Sequence, residues 1–229
     1  FGQSGGGGKV TVLGQIPEAE GLFHKMIVMS GVLGGPLFHA PYDAKALALE
    51  ILSNLNIPET QVEQLEKVPN SYYTCDPLEG DFSAASLKVP TMVGSVFSEF
   101  SSFQSGPDYS ALSTAEREEL VKARFGAEGG EKILAAFRKA FPGMNEAYAL
   151  HYDTAFLPPT VEYVEKKAKE ASAPVYNYLF NLVFDVDGGK AAWHCSDIPY
   201  FFHNGEMVPV CHQEAGDMLD QVMSGAFVN

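Results

Sequence analysis

The chain has 229 residues and a mass of 24.8 kDa; it is 46% hydrophobic and 19% charged, the balance of a chain that buries a core. Its 15 basic and 29 acidic residues leave a net charge of −14, a field that repels phosphate backbones and argues against nucleic acid as a partner. No apolar run approaches the ~20 residues needed to span a bilayer. Three widely spaced cysteines (Cys75, Cys195, Cys211) form no disulfide framework and suit a reducing compartment such as the cytoplasm.

In chain order, Phe1 to Gly8 is a glycine-rich turn with no methionine or secondary element before it. Residues 9–15 are β-branched enough for a short strand, yet after such a turn they equally suit a buried helix. Lys25 to Ser30 reads as a buried parallel strand. Asp43 to Leu55 places Ala44, Leu47, Ala48, Ile51, Leu52 and Leu55 on one helical face, limited by Pro58, and Pro58 to Lys67 reads as a second, short helix. Val89 to Phe97 is an apolar strand, followed by a polar loop from Ser98 to Ser105. Thr114 is the expected N-cap of a helix with acids in its first turn, the stretch Glu116–Glu119 forming a solvated face. Glu131 to Phe141 and Val161 to Ala171 are further amphipathic helices. Pro174 to Asp185 carries the strongest strand signal in the chain. At the far end Met218, Leu219, Val222 and Met223 fall at helical spacing with no stop signal after them. Both ends therefore read as cut, and residues 1–229 are expected to be a piece of a longer protein. Strands alternating with helices predict an α/β fold with a largely parallel sheet.

Gly2-Gln3-Ser4-Gly5-Gly6 fits the pattern of a nucleophile elbow, in which a serine sits on a strained strand-to-helix turn and projects above the sheet. The N–H of the next residue, Gly5, would then face a developing oxyanion. A plain flexible glycine loop fits the same residues. A phosphate loop does not, because Val10 follows Lys9 where serine or threonine is required and Gln3 stands where the first glycine belongs. A serine nucleophile needs a base, and the base an orienting acid. Of six histidines (His24, His39, His151, His194, His203, His212), His194 follows the strongest strand and its Asp187-Gly188-Gly189 turn, where a loop crosses the ligand-binding edge of a parallel sheet. Glu99 follows the strand Val89–Phe97 in the same way. Taken alone, each has an ordinary reading as a structural histidine or a solvated carboxylate.

These residues carry a resemblance. Phe1-Gly2-Gln3-Ser4-Gly5-Gly6 resembles the elbow of the type B carboxylesterases, the family of the cholinesterases and para-nitrobenzyl esterases. The stretch Gly21 to Gly31 is similar to that family's next helix-to-strand passage. The stretch from Val89 to Ser95, with Glu99 after it, is similar to its acid-bearing segment. Ala173 to Tyr178 and Trp193 to Phe202 match its last strand and its histidine loop. The resemblance implies an α/β-hydrolase fold, present as the C-terminal half of its catalytic domain, starting at the elbow. It also implies Ser4 as nucleophile, His194 as general base and acid, Glu99 as orienting carboxylate, Gly5 as one oxyanion donor and Ser30 as a serine that sits behind the triad, near the acid. In this sequence Gln3 stands where the family generally has glutamate, Gly5 where it has alanine, Met29 where it has glutamine, and Phe100 where it has glycine after the acid.

The expected activity is therefore hydrolysis of a carboxylic ester of a small or medium acid, through an acyl-enzyme on Ser4 and with no cofactor. The family's upstream glycine-rich oxyanion loop has no counterpart here, so the chain alone is expected to be weak or inactive and to self-associate or exchange strands through its open sheet edge. A rival from another class is a non-catalytic esterase-like interaction module, of the kind the family uses in cell adhesion. A small redox or metal protein is a further rival, but neither His194-Cys195 nor Cys211-His212 has zinc-site spacing, and no metal is expected. Trp193, Phe97, Phe100, Phe103, Phe201 and Phe202 line a pocket or fill core in equal measure.

Overall fold

The computed structural model describes residues 1–32, 44–54, 58–60, 78, 80–101, 108–186 and 188–229. Four parallel strands form one sheet in the order β1 (Gly2–Gln3), β2 (Met26–Met29), β3 (Thr91–Val96) and β4 (Val175–Phe180). Gly2 lies opposite Val28, Met26 opposite Thr91, and Thr91 opposite Val175. A short antiparallel pair follows, β5 (Val183–Phe184) with β6 (Lys190–Ala191). The helices are α1 (Gly5–Leu13), α2 (Ala44–Asn54), α3 (Thr114–Phe125), α4 (Ala127–Ala140), α5 (Leu157–Glu170), α6 (Ile198–Phe201) and α7 (Gly216–Val228).

β3, between β2 and β4, is a nearly continuous buried run: Thr91, Val93, Gly94, Ser95 and Val96 are all buried, whereas β4 leaves Tyr176 and Asn177 exposed. On one side Val28, Val32, Val93, Phe82 and Tyr163 pack together. A larger cluster gathers Val96, Phe97, Val121, Leu134, Phe137, Phe180, Phe184 and Tyr200. α3 and α4 approach closely at Gly130, where an added Cβ would lie 2.7 Å from Cα of Lys122.

The segment 9–15 is resolved in favour of helix: its first five residues belong to α1. The strongest strand is interrupted, because Asn181 and Leu182 separate β4 from β5. Helix α3 is capped by Ser113, not Thr114; the Ser113 hydroxyl and the Glu116 carboxylate bond each other's backbone N–H in a capping box. Helix α5 begins at Leu157, earlier than expected, because Pro158 and Pro159 occupy its first turn, where a missing N–H costs nothing. α4 likewise begins four residues early, at Ala127. Cys75, His39, Phe103, Asp187 and most of the expected helix from Pro58 to Lys67 lie outside the described residues.

Candidate active site

The elbow is built by close backbone contacts. Ser4 N–H donates to Met29 O at 2.9 Å, and the Ser4 carbonyl accepts from Gly8 N at 3.1 Å, so the serine closes the strand and opens α1 at once. Its backbone is held at φ 56° and ψ −127°, a conformation costly for a residue with a side chain. A Cβ on Gly2 would fall 2.1 Å from Gly6 O, and one on Gly7 would fall 2.7 Å from Cα of Gly31. Glycine is needed at those positions because two backbones touch there. As first residue of α1, Gly5 has an N–H without an acceptor in the helix, and it is exposed.

Positive φ recurs where other strands end: Ser30 (φ 42°) follows β2 and Glu99 (φ 46°) lies just beyond β3. His194 reaches the same edge after β6, through a bridge in which its N–H donates to Glu99 O at 3.0 Å, with Ser98 N on Ala192 O at 2.9 Å beside it. His194 Nδ1 lies 2.5 Å from Glu99 Oε2, both side chains buried, while Glu99 Oε1 accepts from Val96 N at 3.0 Å. A carboxylate can only accept, so the proton of this pair sits on Nδ1 and the lone pair of the imidazole is on Nε2.

That nitrogen faces the elbow, and its partner is the side chain of Gln3, with Nε2 to Nε2 at 3.2 Å. Among the described residues no hydrogen bond joins the Ser4 hydroxyl to His194. Thus the structure joins Glu99 to His194 directly and brings the residue preceding Ser4 against His194. Ser30 is fully buried beside the end of β3, its N–H on Gly94 O at 2.8 Å, and its hydroxyl bonds neither Glu99 nor any other described group.

Three further groups at this edge are not evident from the sequence pattern. Asp197, three residues after His194, is fully buried and accepts from the Tyr178 hydroxyl at 2.9 Å. Burial pushes its carboxyl up to about 6, with the Tyr178 bond pulling the other way. Tyr178 lies flat against Gly94, where a Cβ would be 2.2 Å from its ring. Asp153 caps the start of α5 by accepting from Ala155, Phe156 and Leu157, yet burial still raises its carboxyl. Asp197 shows in the sequence only as an acid three residues after His194; Tyr178 and Asp153 are placed by contacts that no local pattern encodes.

Of the expected aromatics, Phe97 and Phe201 are core, Phe202 packs its half-exposed ring on Phe1 and Phe227, and Trp193 packs on Phe184. Phe100 stands beside His194. Cys195 and Cys211 are free thiols. Among the described residues no group of three or more histidine, cysteine or acidic side chains is placed to hold a metal ion, and no helix is long and apolar enough to cross a membrane.

Comparison with solved structures finds the same architecture in esterases. An esterase from anaerobic Clostridium hathewayi, described as able to hydrolyse aliphatic aromatic polyesters, is 36% identical over all of this chain with a TM-score of 0.87. A PNB esterase is 20% identical over all of the chain with a TM-score of 0.61. The juvenile hormone esterase of Manduca sexta, 18% identical over 99% of the chain, gives 0.52. The chain spans about half the length of each: 51%, 52% and 54%. No protein-family model matches the chain, and no curated protein does.

Proposed function

From a chain that resembles the type B carboxylesterases over about half their length and shares their α/β-hydrolase fold, we propose that residues 1–229 are the C-terminal half of a serine carboxylesterase domain and carry its catalytic triad. The observation that carries this reading is the buried contact between His194 Nδ1 and Glu99 Oε2, at the sheet edge where the strained Ser4 ends β1. Ser4 Oγ attacks the ester carbonyl as His194 Nε2 takes its proton, while Glu99 holds the imidazole in the required tautomer and offsets the imidazolium charge. The Gly5 N–H donates to the oxyanion at the N-terminus of α1. Collapse of the tetrahedral adduct expels the alkoxide, which receives the proton from His194. Water then attacks the acyl-serine by the same route, releasing the acid and restoring Ser4. Substrates are carboxylic esters of small or medium acids, with no cofactor.

The remaining oxyanion donors belong to the other half of the fold. Since loss of one donor costs ~10²–10³ in turnover, the isolated chain hydrolyses short aryl esters weakly or not at all, and its open sheet edge favours self-association. The test is labelling by a fluorophosphonate probe of a chain extended upstream to include that half. Ser4 is expected to be labelled and the Ser4→Ala variant not; an unlabelled Ser4 in the extended chain would refute the assignment. A second reading, a non-catalytic interaction module, is favoured by one contact, Gln3 in place of Ser4 on His194 Nε2, and predicts that unlabelled outcome.

A further inference from the structure

The imidazole of His194 is held at three places, and the proposed triad accounts for only one of them. Glu99 holds Nδ1 and Gln3 meets Nε2; the face of the ring belongs to Phe100. The centroid of the Phe100 ring lies 4.3 Å from that of His194, with 34° between the planes, a tilted stack. Phe156 stands 5.4 Å from the same imidazole at 35° and 5.8 Å from Phe100, so the three rings form a triangle. Phe156 is buried and is fixed by the first turn of α5, where its own N–H donates to Asp153 at 2.8 Å. Phe100 instead is 50% exposed, while His194 is 9% exposed. Leaving half of a phenyl ring in water forgoes apolar burial, and here the other half of the ring lies against the imidazole. The positive φ of Glu99 belongs to the same turn: one strained residue carries the carboxylate that meets the edge of the imidazole, and its successor the ring that meets the face.

We propose that Phe100 is the positioning residue of His194, its ring clamping the imidazole so that Nδ1 stays on Glu99 while Nε2 points to the elbow. The proposal rests on the triad reading, which makes His194 the base. A ring face also attracts a cation, so the clamp suits the imidazolium formed during acyl transfer as well as the neutral base. Glycine after the acid, the residue of the resembling family, has no side chain to act in this way.

The experiment uses the chain 1–229 and needs no turnover. Proton NMR reads two signatures of His194: the upfield displacement of its ring C–H signals by a stacked phenyl, relative to exposed His24 and His212, and the low-field Nδ1 proton bonded to Glu99. Carbethoxylation by diethyl pyrocarbonate, followed by mass spectrometry, reads access to the imidazole. Wild type should show both NMR signatures and slow modification. Phe100→Leu should reduce the ring displacement to the part that Phe156 supplies and raise the modification rate of His194 several-fold, with an unchanged melting curve, and Phe100→Tyr should restore both. If Phe100→Leu leaves the modification rate unchanged, or Phe100→Tyr fails to rescue a folded protein, the clamp is overturned. The triad reading fails separately, if the low-field proton is absent from wild type or survives in Glu99→Ala, which removes its acceptor.

Discussion

At the scale of single residues, the elbow separates glycines required by contact from those that are merely present. Gly7 meets Gly31 backbone to backbone, so a Cβ on Gly7 lies 2.7 Å from Cα of Gly31 and neither chain can retreat without moving α1 off β2. Gly5 has nothing within 4 Å of such a Cβ, and its φ is not positive. Gly5→Ala is therefore expected to stabilise the fold by up to about 1 kcal/mol, through helix propensity and a less disordered unfolded chain. Gly7→Ala is expected to destabilise it by about 1–3 kcal/mol through overpacking. Urea unfolding of the two variants checks both signs. Equal losses in both would mean that the elbow is a loose loop, and with it the strain assigned to Ser4 would lose its support.

Whole elements were legible where a pattern repeats and hidden where one contact decides. The amphipathic spacing of α4 and α5 is visible, but their starts are not, because Gly129-Gly130 and Pro158-Pro159 look like breakers in sequence. In the fold Gly130 lets α3 approach, and the prolines occupy a first turn. That Glu99 and His194 each lie just beyond a strand was readable from the strand signals before them, as was the turn at Ser4 from its glycines; Gln3 on His194 was not, since 191 residues separate the partners. Lys167 on α5 was equally hidden. It is fully buried, donates to the Ser86 hydroxyl at 3.0 Å, lies 5.4 Å from the Phe82 ring, and has no carboxylate partner among the described residues. Burial lowers its ammonium to about 8. Below that pH the folded protein carries a buried charge at a cost. As pH rises through about 8 the native state releases the proton, while the unfolded chain keeps it to about 10.4. Stability should thus rise with pH over that window, by on the order of 3 kcal/mol if the window is crossed fully. Denaturation of wild type and Lys167→Met between about pH 7.5 and 9.5 should show this rise only in wild type; parallel curves would mean that the lysine is solvated or paired.

For the molecule as a whole, two opposed features decide whether copies stay apart. Among the described residues β1, of two residues, lies at an edge of the sheet and pairs with β2, and an unpaired edge is a template for another strand. α7 adds a second sticky surface, with Met218 and Val222 both exposed. Against these stands a net charge of −14, whose repulsion reaches about 30 Å at 0.01 M salt but only about 3 Å at 1 M. Self-association through either surface should therefore be weak at low ionic strength and grow with salt. Light scattering across that range is expected to show particle mass rising with both salt and protein concentration. The double variant Met218→Lys, Val222→Lys separates the surfaces: association that persists in it belongs to the sheet edge, and association that disappears belongs to α7. A monomer under every condition would remove strand exchange from the account.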